Sequence, residues 1–95
     1  MKKYIYSCDG GCIKIGNEQF NVHLPNGYGD GFHRIYVGTE KEIENLRPKD
    51  SEFIGSIEGK FNVYEYDCGN EILFELEGCY AIFKYKGTIY FERWE

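Results

Sequence analysis

The sequence predicts a mainly β fold, either a small antiparallel barrel or a two-layer sandwich of about seven strands, with one short helix at residues 39–47. Segments in which β-branched and aromatic residues alternate with polar ones recur along the chain, as expected for strands that bury one face. Short glycine-containing breaks between these segments are typical of hairpin turns. Because an open sheet would leave edges and an apolar face exposed, we expect closure into a barrel or folding into two layers.

The individual strand candidates differ in how much of each face is apolar. CYAIFKY is apolar on both faces, which predicts a central strand, whereas Ile72, Phe74 and Leu76 share one face of EILFEL. From Lys60 onward the pattern predicts a four-stranded antiparallel meander. The candidates are, in chain order, KYIYSC, CIKIG, QFNVHL, FHRIYVG, EFIGSI, KFNVYEY, EILFEL, CYAIFKY and TIYFERW, with turns at Glu58-Gly59, DCGN, Glu77-Gly78 and Lys86-Gly87.

The helix is predicted by its end signals. Thr39 can cap the N-terminus, and Glu42, three residues later, completes a capping box. Pro48 marks the stop. A helix of about two turns is marginal in water by itself, so we expect it to pack on the sheet through Ile43 and Leu46.

Length and charge narrow the class of protein. The chain of 95 residues is the size of one domain with one modest core, so we expect a single domain over residues 1–95. Its formal net charge of -5 and isoelectric point near 5.0 argue against direct binding to nucleic acid or to anionic membrane surfaces. The sequence shows no export signal and no run long enough to span a membrane, which predicts a cytoplasmic protein.

The four cysteines raise the question of a metal site. In the cytoplasm we expect reduced thiols and not a disulfide framework. Cys68 and Cys79 are predicted near opposite ends of a hairpin, roughly 20 Å apart, which is beyond the reach of one zinc ion. No cofactor is therefore expected, and a zinc-stabilised domain using Cys8 and Cys12 is kept as an alternative.

The glycine-rich loop at residues 25–34 is the strongest candidate for a binding site. Its glycines permit positive φ and close backbone approach, so successive N–H groups can face an anion while Arg34 binds phosphate or carboxylate. Tyr28 and Phe32 can stack on a base or present an aromatic tip to a protein. Asp30 and His33 of the same loop are also candidate contacts for a ligand or partner. The loop therefore predicts a small anionic, nucleotide-like ligand or a protein contact, and a hairpin loop without function is the alternative.

The hypothesis of a catalytic site in the same region has less support. His23, His33 and Asp30 can be drawn as an acid–base pair or a metal site, which would make the protein a small hydrolase. However, nucleophile, base and oxyanion donors cannot be assigned, and the chain contains neither a GxxxxGK[ST] nor a GxSxG motif. We therefore expect a binding protein and not an enzyme.

Glutamates and tyrosines alternate along the predicted strands, with Glu65 and Glu75 as candidate contacts. Tyrosine is favoured at protein interfaces, and flanking glutamates can steer the chain toward a basic, nucleic-acid-handling protein. Small size and acidity are typical of stand-alone proteins with which phages and mobile elements block host defence factors. The sequence thus predicts an inhibitor of a larger protein with a basic surface, with homo-oligomers through sheet edges as a further possibility.

Overall fold

The computed structural model describes residues 1–8, 12–17, 21–29, 31–65 and 71–94, and within these ranges it confirms a mainly β fold with one short helix. Residues Asp30 and Cys68 fall outside the described ranges. The elements are β1 (Lys2–Cys8), β2 (Cys12–Gly16), β3 (Asn21–Pro25), β4 (Gly31–Thr39), α1 (Glu40–Leu46), β5 (Glu52–Glu65), β6 (Glu71–Tyr85) and β7 (Thr88–Trp94).

All seven strands belong to one sheet, in the order β1-β4-β7-β6-β5-β2-β3. Among the ladders of the described residues, every pair is antiparallel except β4 and β7, which run parallel and depart from the antiparallel expectation. The departure arises because the chain leaves β4 through α1, which packs on β4 and β7, and returns to β7 only after the β5–β6 hairpin. No ladder joins the end strands β1 and β3 within the described ranges, so the sheet is open, as in a two-layer sandwich or an open barrel.

Strands β5 and β6 form one long hairpin that runs through two predicted turns. Gly59 of β5 lies directly opposite Gly78 of β6, with φ angles of 107° and 135°, respectively. On one side of this glycine pair β2 adds to β5, and on the other side β7 adds to β6. The turns predicted at these glycines are therefore wrong, and the two glycines instead allow one hairpin to serve both halves of the sheet.

An irregularity in the β5–β6 ladder reverses the side-chain alternation near the start of β6. Val63 pairs with Phe74 and Tyr64 with Ile72, so Leu73 is an extra residue on β6. Phe74 is buried, but Ile72 is 58% exposed. The expectation that both share a buried face is wrong because the extra residue turns Ile72 outward.

The core has two parts on opposite faces of the central strands. Tyr80 and Ile82 of β6 face the inner cluster, and Ala81 and Phe83 face an outer cluster beneath α1. This confirms that CYAIFKY is central. The buried residues of the inner cluster are Tyr6, Ile13, Ile15, Leu24, Ile35, Val37, Phe61, Val63, Phe74, Tyr80, Ile82, Ile89 and Phe91.

The helix has the predicted cap but a narrower contact face. The Thr39 N–H donates to Glu42 Oε1 at 3.0 Å, and the Glu42 N–H donates to Thr39 Oγ1 at 3.3 Å, which is a complete capping box. Ile43 is fully buried, whereas Leu46 is 38% exposed. The predicted packing of Leu46 is wrong because the anchor at that end of the helix is Arg47.

Arg47 holds the end of α1 on the sheet through a buried carboxylate. Its Nε donates to Glu92 Oε1 at 3.2 Å, and its guanidinium lies 3.8 Å from the centre of the Phe83 ring. Trp94 Nε1 donates to the other oxygen of Glu92 at 3.0 Å. Glu92 is only 3% exposed, so these two donors compensate for its removal from water.

The positive φ of Gly59, opposite Gly78 in the β5–β6 hairpin, provides a first test of the fold. Gly59→Ala is expected to lower the free energy of unfolding by about 1–2 kcal/mol, because a side chain strains the positive φ even where it meets no neighbour. Gly55→Ala on the same strand is the matched control, since Gly55 has an ordinary φ and an added Cβ at either position meets no described atom within 4 Å. Urea unfolding of both variants measures this difference. Equal stability of the two variants would contradict the positive φ of Gly59.

Candidate functional site

The glycine-rich loop between β3 and β4 is organised by one buried side chain, Asn26, which is 2% exposed. Its Oδ1 accepts the N–H groups of Tyr28 at 2.8 Å and Gly29 at 3.1 Å. Its Nδ2 donates to the Tyr6 hydroxyl at 3.0 Å and to the Gly29 carbonyl at 3.3 Å. The Tyr6 hydroxyl donates in turn to the Gly87 carbonyl at 2.9 Å. The loop is therefore tied to β1 and to the β6–β7 turn.

These hydrogen bonds change the interpretation of the loop as an anion cradle. Successive N–H groups of the loop are expected to face an anion, but Asn26 Oδ1 already accepts from those of Tyr28 and Gly29. An anion would have to displace a buried side chain that makes four hydrogen bonds, which costs more than filling an empty cradle. The Asn26-Gly27 dipeptide is a turn signal through which this role of Asn26 is recognisable in the sequence.

His33 is a packing residue of the same loop. Its Nε2 lies 2.9 Å from the Gly29 carbonyl oxygen, so this nitrogen carries the proton and donates. Its ring is 5.5 Å from the Tyr6 ring and meets the Tyr28 ring edge-on at 6.3 Å. A Cβ placed on Gly87 would lie 2.4 Å from His33 Nδ1, so the ring sits directly against the backbone of the β6–β7 turn.

The described residues do not bring the predicted catalytic groups together. His33 faces the same side of β4 as the buried Ile35, whereas His23 is exposed and alternates with the buried Leu24 on β3. Asp30 lies outside the described residues. Within the described ranges no group of three His, Cys, Asp or Glu side chains could hold a metal ion.

The zinc alternative falls mostly on side chains that the structure does not describe. Cys8 and Cys12 lie at ends of β1 and β2, where their backbones pair with Gly31 and Pro25, and their side chains are outside the described set. Cys79 is a half-buried free thiol on β6. The zinc alternative therefore stays a prediction.

Phe32 and Arg34 lie on the opposite face of β4 from His33 and form part of an exposed surface. Arg34 pairs with Ile5 of β1, and Lys3 of β1 lies one row further along on the same face. Phe32 is 82% exposed and Ile5 is 59% exposed. We call the surface formed by Lys3, Ile5, Phe32 and Arg34 the β1–β4 strip.

A row of aromatic side chains continues this face across the sheet. Tyr36 of β4, Tyr90 of β7, Phe83 of β6 and Phe53 of β5 are directly opposed in successive ladders. The rings of Tyr36 and Tyr90 stack at 5.7 Å, and those of Phe53 and Phe83 are 5.4 Å apart. Ile43 of α1 joins the cluster at the middle of the row, while Phe53 at its far end is 54% exposed.

Two groups beside this face have shifted pKa values. Burial raises the pKa of Tyr90, and the neighbouring Tyr36 and Tyr85 raise it further. Hydrogen bonds from the Thr39 backbone, then from the chain's N-terminal ammonium, lower the pKa of Glu42. The raised pKa favours the neutral form of Tyr90, and the lowered pKa favours the ionised form of Glu42.

The two predicted acidic contacts differ in their relation to the β1–β4 strip, because Glu65 contacts Ser7, which pairs with Phe32, whereas Glu75 lies on β6. Glu65 Oε1 accepts a hydrogen bond from Ser7 Oγ at 3.1 Å, and it is half-buried. Glu75 is exposed on β6 and pairs with Lys60 at 3.5 Å. Of the predicted contact residues, only Phe32 and Arg34 share the strip, and Tyr28 and His33 belong to the loop.

Comparison of the chain with family models, curated proteins and solved structures found no match. Among the described residues no helix is both long enough and apolar enough to cross a membrane. Function therefore has to be inferred from the chemistry of the surface of this chain.

Proposed function

We propose that this chain is a non-enzymatic binding protein that covers a surface of a larger protein, with the β1–β4 strip as its contact surface. The observation that carries the proposal is the exposure of Ile5 and Phe32, at 59% and 82%, on adjacent strands of a regular ladder. Neighbouring exposed apolar residues with a polar border mark interaction surfaces. Aromatic residues and arginine, both present in the strip, are enriched at protein interfaces.

The backbone beneath the strip favours tight contact. β1 and β4 pair without interruption from Lys2 opposite Val37 to Cys8 opposite Gly31. Side chains on such a ladder are held at fixed spacing, so binding orders little backbone that was not already ordered. A loop tip would incur a larger entropic cost for the same contacts.

The form of binding that size and acidity favour is inhibition by occlusion. A small protein that covers part of a larger, nucleic-acid-handling defence protein needs no catalytic group, only a stable contact surface of roughly 800 Å² on each partner. The molecule measures 33 × 28 × 20 Å, so one of its faces is large enough to supply such an area. Support for this role over catalysis comes from His23 and His33, which face opposite ways on their strands.

The second candidate, capture of a nucleotide-like anion by residues 25–34, has less support. Two of the amides it requires already donate to Asn26. Arg34, its proposed anion ligand, lies on the face of β4 opposite to the loop-packing His33. The loop and the arginine therefore do not converge on one site.

The test is affinity capture from a lysate of the native host cells, with the bound proteins quantified by mass spectrometry. Ile5→Glu is expected to abolish capture of the partner, because a charge at the centre of an apolar contact must be desolvated on binding. Ile72→Glu is the matched control, since Ile72 is also a strand isoleucine and is 58% exposed on a different part of the sheet.

Circular dichroism and thermal unfolding would establish that both variants remain folded. Capture that survives Ile5→Glu, or that is lost equally in Ile72→Glu, would contradict the assignment of the contact to the β1–β4 strip.

A further inference from the structure

The β1–β4 strip is cationic although the protein is acidic. The chain has 16 acidic and 11 basic residues, yet β1 and β4 together contain Lys2, Lys3 and Arg34 and no aspartate or glutamate. Lys3 and Arg34 are both exposed, and neither has an ion-pair partner within the described part of the chain. Two uncompensated positive charges therefore border Ile5 and Phe32.

The exposed carboxylates lie on other elements. Glu40 and Glu44 are on α1, and Glu71, Glu75 and Glu77 are on the first half of β6. At physiological salt the Debye length is about 8 Å, so exposed charges farther away than this are largely screened. The described contacts place the half-buried carboxylate of Glu65 beside the strip through Ser7, and they pair Glu42 with the N-terminal ammonium, so Lys3 and Arg34 are the exposed charges that a partner meets at the strip.

We infer that the partner presents to the strip an acidic protein surface with an apolar centre. This inference rests on the proposed function and names the chemistry of its partner. Arg34 can bind a carboxylate through two parallel hydrogen bonds, and Lys3 supplies a second positive charge at the border. Ile5 and Phe32 fill the centre of the contact. The net charge of -5 predicts a basic partner instead. The two predictions therefore name partners of opposite charge, and one binding experiment distinguishes them.

Titration of the ¹⁵N-labelled protein with short peptides, followed by NMR, tests whether the strip binds an acidic or a basic partner. The first probe is the heptapeptide Glu-Leu-Asp-Phe-Glu-Leu-Asp, and the second has lysine in place of every acidic residue. The acidic probe is expected to shift the backbone amides of Lys3, Ile5, Phe32 and Arg34. Its affinity is expected to fall about tenfold between about 50 mM and about 500 mM NaCl, because exposed charges are screened.

Charge reversal supplies the matched variants. Arg34→Glu is expected to weaken binding of the acidic peptide by about tenfold or more, because attraction becomes repulsion at the same position. Lys41→Glu makes the same change in net charge on the exposed face of α1 and is expected to leave the affinity unchanged. Equal losses in both variants would show a response to net charge and would overturn the inference.

Three other outcomes also overturn it. These are absence of shifts at the strip with the acidic peptide, stronger binding of the lysine peptide there, and tighter binding of a seven-nucleotide oligothymidylate, which would make the anion a nucleic acid. In each case the proposed function survives if Ile5→Glu still abolishes capture of a protein partner. If Ile5→Glu leaves capture unchanged while the acidic peptide binds at the strip as expected, the result contradicts the proposed function and not the acidic character of the ligand.

Discussion

Alanine at position 87 is expected to lower the free energy of unfolding by about 3 kcal/mol, because it combines backbone strain with a steric collision. Gly87 has a φ of 85°, a conformation that costs a residue with a Cβ about 1–2 kcal/mol. The added Cβ would also lie 2.4 Å from His33 Nδ1 and 2.7 Å from Cε1. Relief of that overlap moves the His33 ring away from the Gly29 carbonyl, to which it donates at 2.9 Å.

Gly29→Ala separates the two contributions to this loss. Gly29 has a φ of 99°, but a Cβ there meets no described atom within 4 Å, so only the backbone strain remains. Urea unfolding should therefore show a loss of about 1–2 kcal/mol for Gly29→Ala and a clearly larger one for Gly87→Ala. In a His33→Ala background the additional cost of Gly87→Ala should fall toward that of Gly29→Ala. Equal costs with and without the His33 ring would contradict the close contact between ring and turn.

Features that depend on neighbouring residues in the sequence were predictable. The capping box of α1 needs only Thr39 and Glu42, three residues apart, and both of its hydrogen bonds form. The central position of β6 was predictable from the apolar character of both faces of CYAIFKY. In each case the signal and the structure that it specifies lie within one short segment.

Features that depend on distant partners were not predictable. A glycine after a glutamate is as compatible with a tight turn as with a bend in a long strand, and only the pairing of Gly59 with Gly78 distinguishes the two. The parallel pairing of β4 with β7 requires that α1 pack across both strands. No local pattern contains that contact.

The candidate site was likewise predictable only where its signal lies within one short segment of the sequence. Phe32 and Arg34 stand out in the sequence because they lie in the glycine-rich segment 25–34, where simpler residues would suffice for a turn. Ile5 is an ordinary residue of an ordinary strand until the ladder between β1 and β4 places it beside Arg34. The sequence therefore predicted only Phe32 and Arg34 of the proposed contact surface, and not Lys3 or Ile5.

Asn26→Ala is expected to cost about 3 kcal/mol, because a single side chain satisfies four polar groups. Its loss leaves the N–H groups of Tyr28 and Gly29 without their acceptor and removes the donor to the Tyr6 hydroxyl. Urea unfolding measures the cost, and amide hydrogen exchange measures the opening of the loop. The amides of Tyr28 and Gly29 should exchange faster, whereas that of Ile35 in the β4 ladder should change only with global stability.

Tyr6→Phe and Asn26→Asp divide this cost between the two sides of the Asn26 amide. Tyr6→Phe removes only the hydroxyl between Asn26 and the Gly87 carbonyl, with an expected loss of about 1–2 kcal/mol. Because the two residues share a hydrogen bond, the double variant with Asn26→Ala should lose less than the sum of the single losses. Asn26→Asp keeps the acceptor but loses the donor, so loop amides that stay protected in this variant would identify Oδ1 as the atom that orders the loop. Rapid exchange in Asn26→Asp, or strict additivity with Tyr6→Phe, would contradict a single network and would again leave the loop amides available to an external anion.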